Sequence, residues 1–243
     1  MLPDRSFNEF VLKFANINGS GSASANLLCA KALFRMGLPV SPKNIFPSNI
    51  QGLPTWYEIR ISEAGHLARR EGSDVMVAMN PQTYTQDAAE VVAGGTIIYD
   101  STWPRDFGRS DVTQIGVPIA RLCAEAWGDP RQRQLLKNIV YVGALAWLIE
   151  IDMVIIEKLI AEQFKAKPKL IEANLQALHM GRDWVAENVG ERLLVRVRKA
   201  NGTAGKIMIS GNEAAGLGAV FAGATVAAWY PITPSTSVAE AFE

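Results

Sequence analysis

The segment that most restricts the fold lies near the start of the chain. Residues 10–17, FVLKFANI, are apolar and almost unbroken, as in a strand covered on both faces. Asn18-Gly19-Ser20-Gly21-Ser22 follows. Over residues 23–36, Leu27, Ala30 and Phe34 fall on one helical face and Leu28, Lys31 and Arg35 on another. Gly37 then stands where a helix commonly ends in a left-handed residue. Further strands are expected at residues 57–61, 75–79 and 96–99, with a helix at 84–92 ended by Gly94-Gly95. Strands alternating with helices point to an open α/β layer with a mostly parallel sheet.

The next stretch changes character. Gly128-Asp129-Pro130 opens a helix expected over 131–149, with others over 153–164 and 168–189, so the first domain has a helical C-terminal half. Residues 199–205 are polar and glycine-containing and read as a linker between a domain at 1–198 and a second at 206–243. There the pattern restarts, with a strand at 206–210, a helix at 214–224, a strand at 225–230 and a turn into a last helix. A strand–helix–strand of that size lacks a sheet of its own and is expected to be an incomplete domain.

Composition removes several function classes. Lys and Arg total 24 and Asp and Glu total 24, which speaks against nucleic-acid binding by a basic surface. The two cysteines, Cys29 and Cys123, are too few for a disulfide scaffold or for a cluster held by this chain alone. His66 and His179 are isolated, so no zinc-ligand spacing exists and no metal site is expected. The apolar stretch 139–149 is shorter than the ~20 residues a membrane span needs. The N-terminus lacks a signal peptide's apolar region, which makes a cytoplasmic location the expectation.

Gly19-x-Gly21-x-x-Ser24 sits where a strand passes into a helix, the setting in which backbone N–H groups bind phosphate. It reads equally as a tight turn that packs two elements and holds no ligand. A nicotinamide or flavin dinucleotide is disfavoured. No Asp or Glu occurs in residues 25–57 to bind a ribose, and the interval carries Lys31, Arg35 and Lys43 instead. The loop 46–54, FPSNIQGLP, has two prolines and several polar side chains, and reads either as a ligand-facing loop or as a rigid crossover. Asp100-Ser101-Thr102 reads as an active-site edge or a helix cap. Trp127, Trp147 and Trp184 read as core or interface.

Two later motifs are more specific: Gly211-Asn212-Glu213-Ala214-Ala215 and Tyr230-Pro231-Ile232-Thr233-Pro234-Ser235-Thr236. With them the chain resembles the α chain of 2-oxoacid:ferredoxin oxidoreductases, in the form with a γ-type domain fused ahead of it, and most of all the 2-oxoglutarate-type branch. The resemblance runs over essentially the whole chain. It departs at the glycine turn, where the family's usual G-G-Q-G reads Gly21-Ser22-Ala23-Ser24.

The fold the resemblance implies is a Rossmann-like γ-type domain, then the start of an α/β thiamine-diphosphate pyrimidine-binding domain. The implied activity is coenzyme A-dependent oxidative decarboxylation of a 2-oxoacid, with electrons passing singly through an iron–sulfur cluster to ferredoxin. Thiamine diphosphate with Mg2+ and the cluster are implied to lie mainly on a partner β chain, in a dimer of αβ units. Thr233 is implied to donate to the substrate carboxylate, with Tyr230, Pro231, Ile232 and Pro234 shaping the pocket and Glu213 near it. The same residues also read as a helix cap with Pro234 at the first helical position, and Glu213 as a helix-dipole carboxylate. The glutamate that activates thiamine is implied to fall beyond Glu243, so the chain alone is expected to be inactive. Gly19, Ser20, Gly21 and Ser22 are the candidates for coenzyme A phosphates, and Ser48, Asn49 and Gln51 for lining the same region. The alternative function is a coenzyme-binding module without chemistry.

Overall fold

The computed structural model describes residues 7–47, 50–232 and 234–243. They divide into two compact units, one ending at Ala204 and the other running Gly205–Glu243.

The first unit is built on a six-stranded sheet in the order β2-β3-β1-β4-β5-β6. Its strands are β1 Glu9–Ile17, β2 Val40–Ile45, β3 Pro54–Ser62, β4 Ser73–Ala78, β5 Val91–Asp100 and β6 Thr113–Val117. The β1–β4, β4–β5 and β5–β6 pairs are parallel, whereas β3 pairs antiparallel with both β1 and β2. Helix α1 (Ser22–Arg35) follows β1, and α2 (Tyr84–Glu90) joins β4 to β5. Helices α3 (Ile119–Ala126), α4 (Pro130–Ile149), α5 (Met153–Gln163) and α6 (Pro168–Asn188) complete the unit.

The expected strands and long helices are present with small shifts of boundary. β5 begins earlier than expected, because residues 91–95 join it through a register shift rather than ending the helix. Three elements were not expected. β2 (VSPKNI) carries a proline and polar residues at the sheet edge, where no apolar pattern is needed. β6 is short. α3 is held at its start by side chains far away in sequence: Ala120 N–H donates to Asp100 (3.0 Å) and Arg121 N–H to Thr102 (3.1 Å). Asp100 and Thr102 are therefore helix-capping groups.

β1 is central and its alternation separates two environments. Phe10, Leu12 and Phe14 are fully buried, and Phe14 meets Tyr141 of α4 with ring centroids 5.7 Å apart. The intervening Lys13 is also buried and pairs with Glu90. Around it Glu9 pairs with Arg60, Arg69 with Glu58 (2.8 Å) and Arg70 with Asp74. A buried cation persists only when paired, so this face is ionic where the opposite face is apolar.

In the helical half, α4 and α6 cross at Gly143 and Gly181. A Cβ on either would lie 1.9 Å from a backbone oxygen of the other helix, so only glycine permits this approach. Residues 199–203, expected as linker, are bonded to the end of α1: Ala200 N–H donates to Met36 O (2.9 Å), and Thr203 Oγ to Phe34 O (2.9 Å).

The second unit contains α7 (Gly211–Phe221) and α8 (Thr236–Phe242). The strands expected at 206–210 and 225–230 carry no regular secondary structure. A strand requires a neighbour for its ladder, and among the described residues none pairs with them.

Candidate functional site

β1 leads toward β3 and β2 on one side, and β4 leads toward β5 and β6 on the other. The carboxyl ends of β1 and β4 therefore flank a topological switch point, where open α/β sheets bind ligands. The glycine turn stands there. Gly19 (φ +83°) and Gly21 (φ +79°) have left-handed backbone that suits glycine.

The loop before β3 folds back onto this turn. Asn18 N–H donates to Leu53 O (2.8 Å) and Gly52 N–H to Asn18 O (2.9 Å). A Cβ on Gly19 would lie 2.7 Å from Gln51 Cγ, so Gln51 covers that glycine. Leu135 covers Gly21 in the same way, with Cδ2 2.7 Å from the position of a Cβ. Asn138 donates to Ser20 O (2.8 Å), and the buried Ser20 hydroxyl has no partner among the described residues. The structure thus brings Gly19, Gly21, Ser22 and Gln51 together and turns the Ser20 side chain inward. Ser48 and Asn49 lie outside the described residues.

Beside the turn is a cavity of about 250 Å³, bordered by Ser22 and Ser24 at the start of α1 and by Asn44, Thr55 and Trp56. The floor is a buried amide–phenol chain. Asn26 donates to Asn16 Oδ1 (3.1 Å), and Tyr141 OH donates to Asn26 Oδ1 (2.7 Å). Burial holds the Tyr141 phenol well above the usual tyrosine range, so it stays a neutral donor. On the opposite face of the sheet, Trp56 Nε1–H donates to Asp87 (2.8 Å), which also accepts from Thr83 Oγ (2.6 Å). Burial raises the Asp87 carboxyl above the ordinary aspartate range. Among the described residues no side chain caps the N-terminus of α1, whose first-turn N–H groups have no partner within the helix.

Sequence reasoning missed Asn16, Asn26, Asn44, Trp56 and Asp87. The available signal was the polar residue ending an apolar strand (Asn16) and another opening an apolar helix (Asn26). Asn44 comes from the edge strand, and Trp56 and Asp87 come from separate elements that only the sheet order brings close, on the opposite face.

The cysteines are both buried, and burial pushes each thiol up to about 12. Protonated, separated thiols do not fit a cluster that is held by thiolates. Among the described residues no group of three or more His, Cys, Asp or Glu is placed to hold a metal ion. Among the same residues no helix is long and apolar enough to cross a membrane.

In the second unit, Glu213 closes a capping box at the start of α7. Ser210 N–H donates to Glu213 Oε2 (2.7 Å), and Glu213 N–H donates to Ser210 Oγ (3.2 Å). Asn212 reaches the other motif, donating to Pro234 O (2.9 Å) and Ser237 Oγ (2.8 Å). The GNEAA and YPITPST stretches are thereby joined within this unit. Tyr230, Pro231, Ile232 and Pro234 are exposed, Tyr230 to 79%. α8 begins at Thr236 with Ser235 at the cap position, so Pro234 is not its first helical residue. Thr233 lies outside the described residues.

Comparison with known proteins gives consistent results. The pyruvate ferredoxin/flavodoxin oxidoreductase family matches residues 11–184. The 2-oxoglutarate oxidoreductase subunit KorA of Mycobacterium tuberculosis is 27% identical, over 97% of this chain and 41% of its own. The ketoisovalerate oxidoreductase subunit VorA of Methanothermobacter thermautotrophicus is 30% identical, over 76% of this chain and 38% of its own. Among solved structures, the 2-oxoglutarate:ferredoxin oxidoreductase of Magnetococcus marinus, with 2-oxoglutarate, coenzyme A and succinyl-CoA bound, superposes with a TM-score of 0.84. It is 25% identical, over 97% of this chain and 41% of that one. A γ subunit of a keto/oxoacid ferredoxin oxidoreductase from Geobacter sulfurreducens shares the fold at TM-score 0.61 and 19% identity, over 73% of this chain and 99% of its own. The chain spans about two fifths of the length of the curated relatives it matches.

Proposed function

The chain belongs to the pyruvate ferredoxin/flavodoxin oxidoreductase family, and on that footing we propose that it forms the γ-type and leading α-type part of a cytoplasmic 2-oxoacid:ferredoxin oxidoreductase. The reaction is coenzyme A-dependent oxidative decarboxylation, with 2-oxoglutarate going to succinyl-CoA and CO2 and two electrons to ferredoxin. The observation that carries this reading is the similarity to 2-oxoglutarate:ferredoxin oxidoreductase across nearly the whole chain, both units included.

The residues in hand divide the work. Residues 1–198 form the γ-type domain, and the glycine turn with Ser22 and Gln51 contacts coenzyme A at the switch point. Residues 206–243 begin the domain that meets the thiamine pyrimidine, after the short connection at 199–205. Ser48 and Asn49 belong to the coenzyme-lining loop. Thr233 donates to the substrate carboxylate, with Tyr230, Pro231, Ile232 and Pro234 around it and Glu213 fixing the start of the adjacent helix. The donor set described above fits neither the iron–sulfur cluster nor the Mg2+–diphosphate group, which supports the reading that a β chain holds both; the assembly in this reading is a dimer of αβ units.

The test is reconstitution with a β chain and measurement of 2-oxoglutarate- and coenzyme A-dependent ferredoxin reduction. Thr233→Ala is expected to lower kcat/KM by about ten- to a hundredfold, the value of a hydrogen bond to a charged group. Unchanged kinetics in that variant remove the carboxylate-binding role. Coenzyme binding without turnover in the reconstituted complex favours a binding module instead.

A further inference from the structure

The turn that carries YPITPST is not held by burial. Tyr230, Pro231, Ile232 and Pro234 are exposed, so hydrogen bonds set its path. Within the turn, Ser235 N–H donates to Ile232 O (2.7 Å), and Ser235 Oγ donates to the same oxygen (2.6 Å) with Tyr230 O also in reach (3.2 Å). A bond from outside the turn comes from Asn212, at the second helical position of α7. Its Nδ2 donates to Pro234 O (2.9 Å) and to Ser237 Oγ (2.8 Å), and Ser237 Oγ donates in turn to Pro234 O (3.1 Å). A carbonyl oxygen accepts and never donates, so the amide atom facing Pro234 O must be nitrogen, which fixes the orientation of the Asn212 side chain.

From this geometry we infer that Asn212 is a positioning residue for the 2-oxoacid. It fixes the turn to α7 at Pro234, the chain neighbour of Thr233, and acts on the substrate through Thr233. The inference rests on the reading above, in which Thr233 binds the substrate carboxylate. A group that recognises a ligand must be held to within about 0.5 Å of its productive geometry, and an exposed turn needs an anchor on a rigid element for that. α7 is such an element. Its start is closed by the Ser210–Glu213 capping box. One turn beyond Asn212, on the same face, α8 approaches so closely that a Cβ on Gly216 would lie 2.5 Å from Val238 O. The helix pair therefore keeps its packing without Asn212, whereas the turn loses an attachment to it. That separates the role of Asn212 from the stability of the unit.

Two readouts test this. In the 243-residue chain, Asn212→Ala is expected to quicken amide exchange at Ser235 and Val238 by about three- to tenfold, the worth of one neutral hydrogen bond, and to leave residues 214–222 unchanged. Alanine is a better helix former than asparagine and the capping box remains, so α7 is expected to form. Asn212→Asp keeps the size of the side chain but sets an acceptor against Pro234 O, and should quicken the same amides at least as much. In the complex reconstituted with a β chain, both variants are expected to raise the KM for 2-oxoglutarate by about three- to tenfold and to leave the KM for coenzyme A unchanged. In a Thr233→Ala background, Asn212→Ala should add nothing, because the group it positions is gone. The inference is overturned by unchanged exchange at Ser235 and Val238, by an unchanged KM for 2-oxoglutarate, by equal rises in both KM values, by a loss of kcat alone, or by effects of Asn212→Ala and Thr233→Ala that multiply. Each of these results leaves the carboxylate reading standing. Unchanged kinetics in Thr233→Ala itself overturn that reading and this inference with it.

Discussion

The two units handle their large apolar side chains in opposite ways. In the first, Phe10, Phe14, Leu33, Ile59 and Tyr141 are buried around a six-stranded sheet in which every strand has a paired neighbour. In the second, Ile207, Val226 and Trp229 are exposed and Phe221 is 85% exposed. Yet α7 and α8 form in both senses that matter, with internal hydrogen bonds and a close mutual approach at Gly216. A helix satisfies its backbone locally, whereas a strand depends on a neighbour. The stretches 206–210 and 225–230 have strand-like sequences without strand structure for that reason. Stability should therefore be concentrated in the first unit.

Truncation of a buried ring against an exposed one tests this most severely. Phe14→Ala should destabilise the first unit by about 3–5 kcal/mol, since it removes a fully buried ring and leaves a cavity beside Tyr141. Phe221→Ser should stay within about 0.5 kcal/mol of wild type. Urea unfolding followed by tryptophan fluorescence reads both. Comparable losses from the two substitutions would break the comparison.

A smaller effect probes how α7 stands without a sheet. Its capping box satisfies first-turn N–H groups that have no partner inside the helix. Ser210→Ala should weaken α7 by about 1 kcal/mol. Amide exchange across residues 211–221 should quicken while protection in β1 and α4 is unchanged. If exchange in β1 rises equally, the two units unfold together and the comparison needs revision.

The parts of the molecule that were legible in the sequence are those whose signals are local. The 10–17 strand, the glycine turn and the helices opened by Asp129-Pro130 and Pro168 declare themselves by period or by capping chemistry, whereas residues 211–213, expected as a turn, are the first turn of α7. β2 and α3 do not. One is an edge strand with little to bury, and the other begins on hydrogen bonds from Asp100 and Thr102. The candidate site divides likewise. Gly19 and Gly21 are marked by their turn, but their covering by Gln51 and Leu135 depends on side chains about 32 and 114 positions away, a distance no local period encodes. Trp56 and Asp87 come together only because β3 and β4 flank β1.

The smallest expected effect concerns Asp87, a carboxyl buried in the first unit. Burial favours its neutral form, so its folded-state pKa is raised above the unfolded value. In the interval between those two values the folded state holds a proton that the unfolded state has released. Stability then falls as pH rises through that interval and levels off above it. Other carboxyls of this unit act in the opposite sense. Hydrogen bonds from Arg109, Lys199 and Arg35 hold Asp111, Asp152 and Glu162 below their usual ranges, and these groups lose stability as pH falls. The net slope of the wild type is therefore uninformative, and the difference from Asp87→Asn isolates the residue. Asparagine retains an oxygen to accept from Trp56 Nε1 and cannot ionise. The unfolding free energy of the wild type relative to Asp87→Asn should decrease from the acid end of the interval to its neutral end. A difference that stays constant over that range would show that Asp87 is ionised in the folded protein and that the Trp56 indole is held by a charged acceptor.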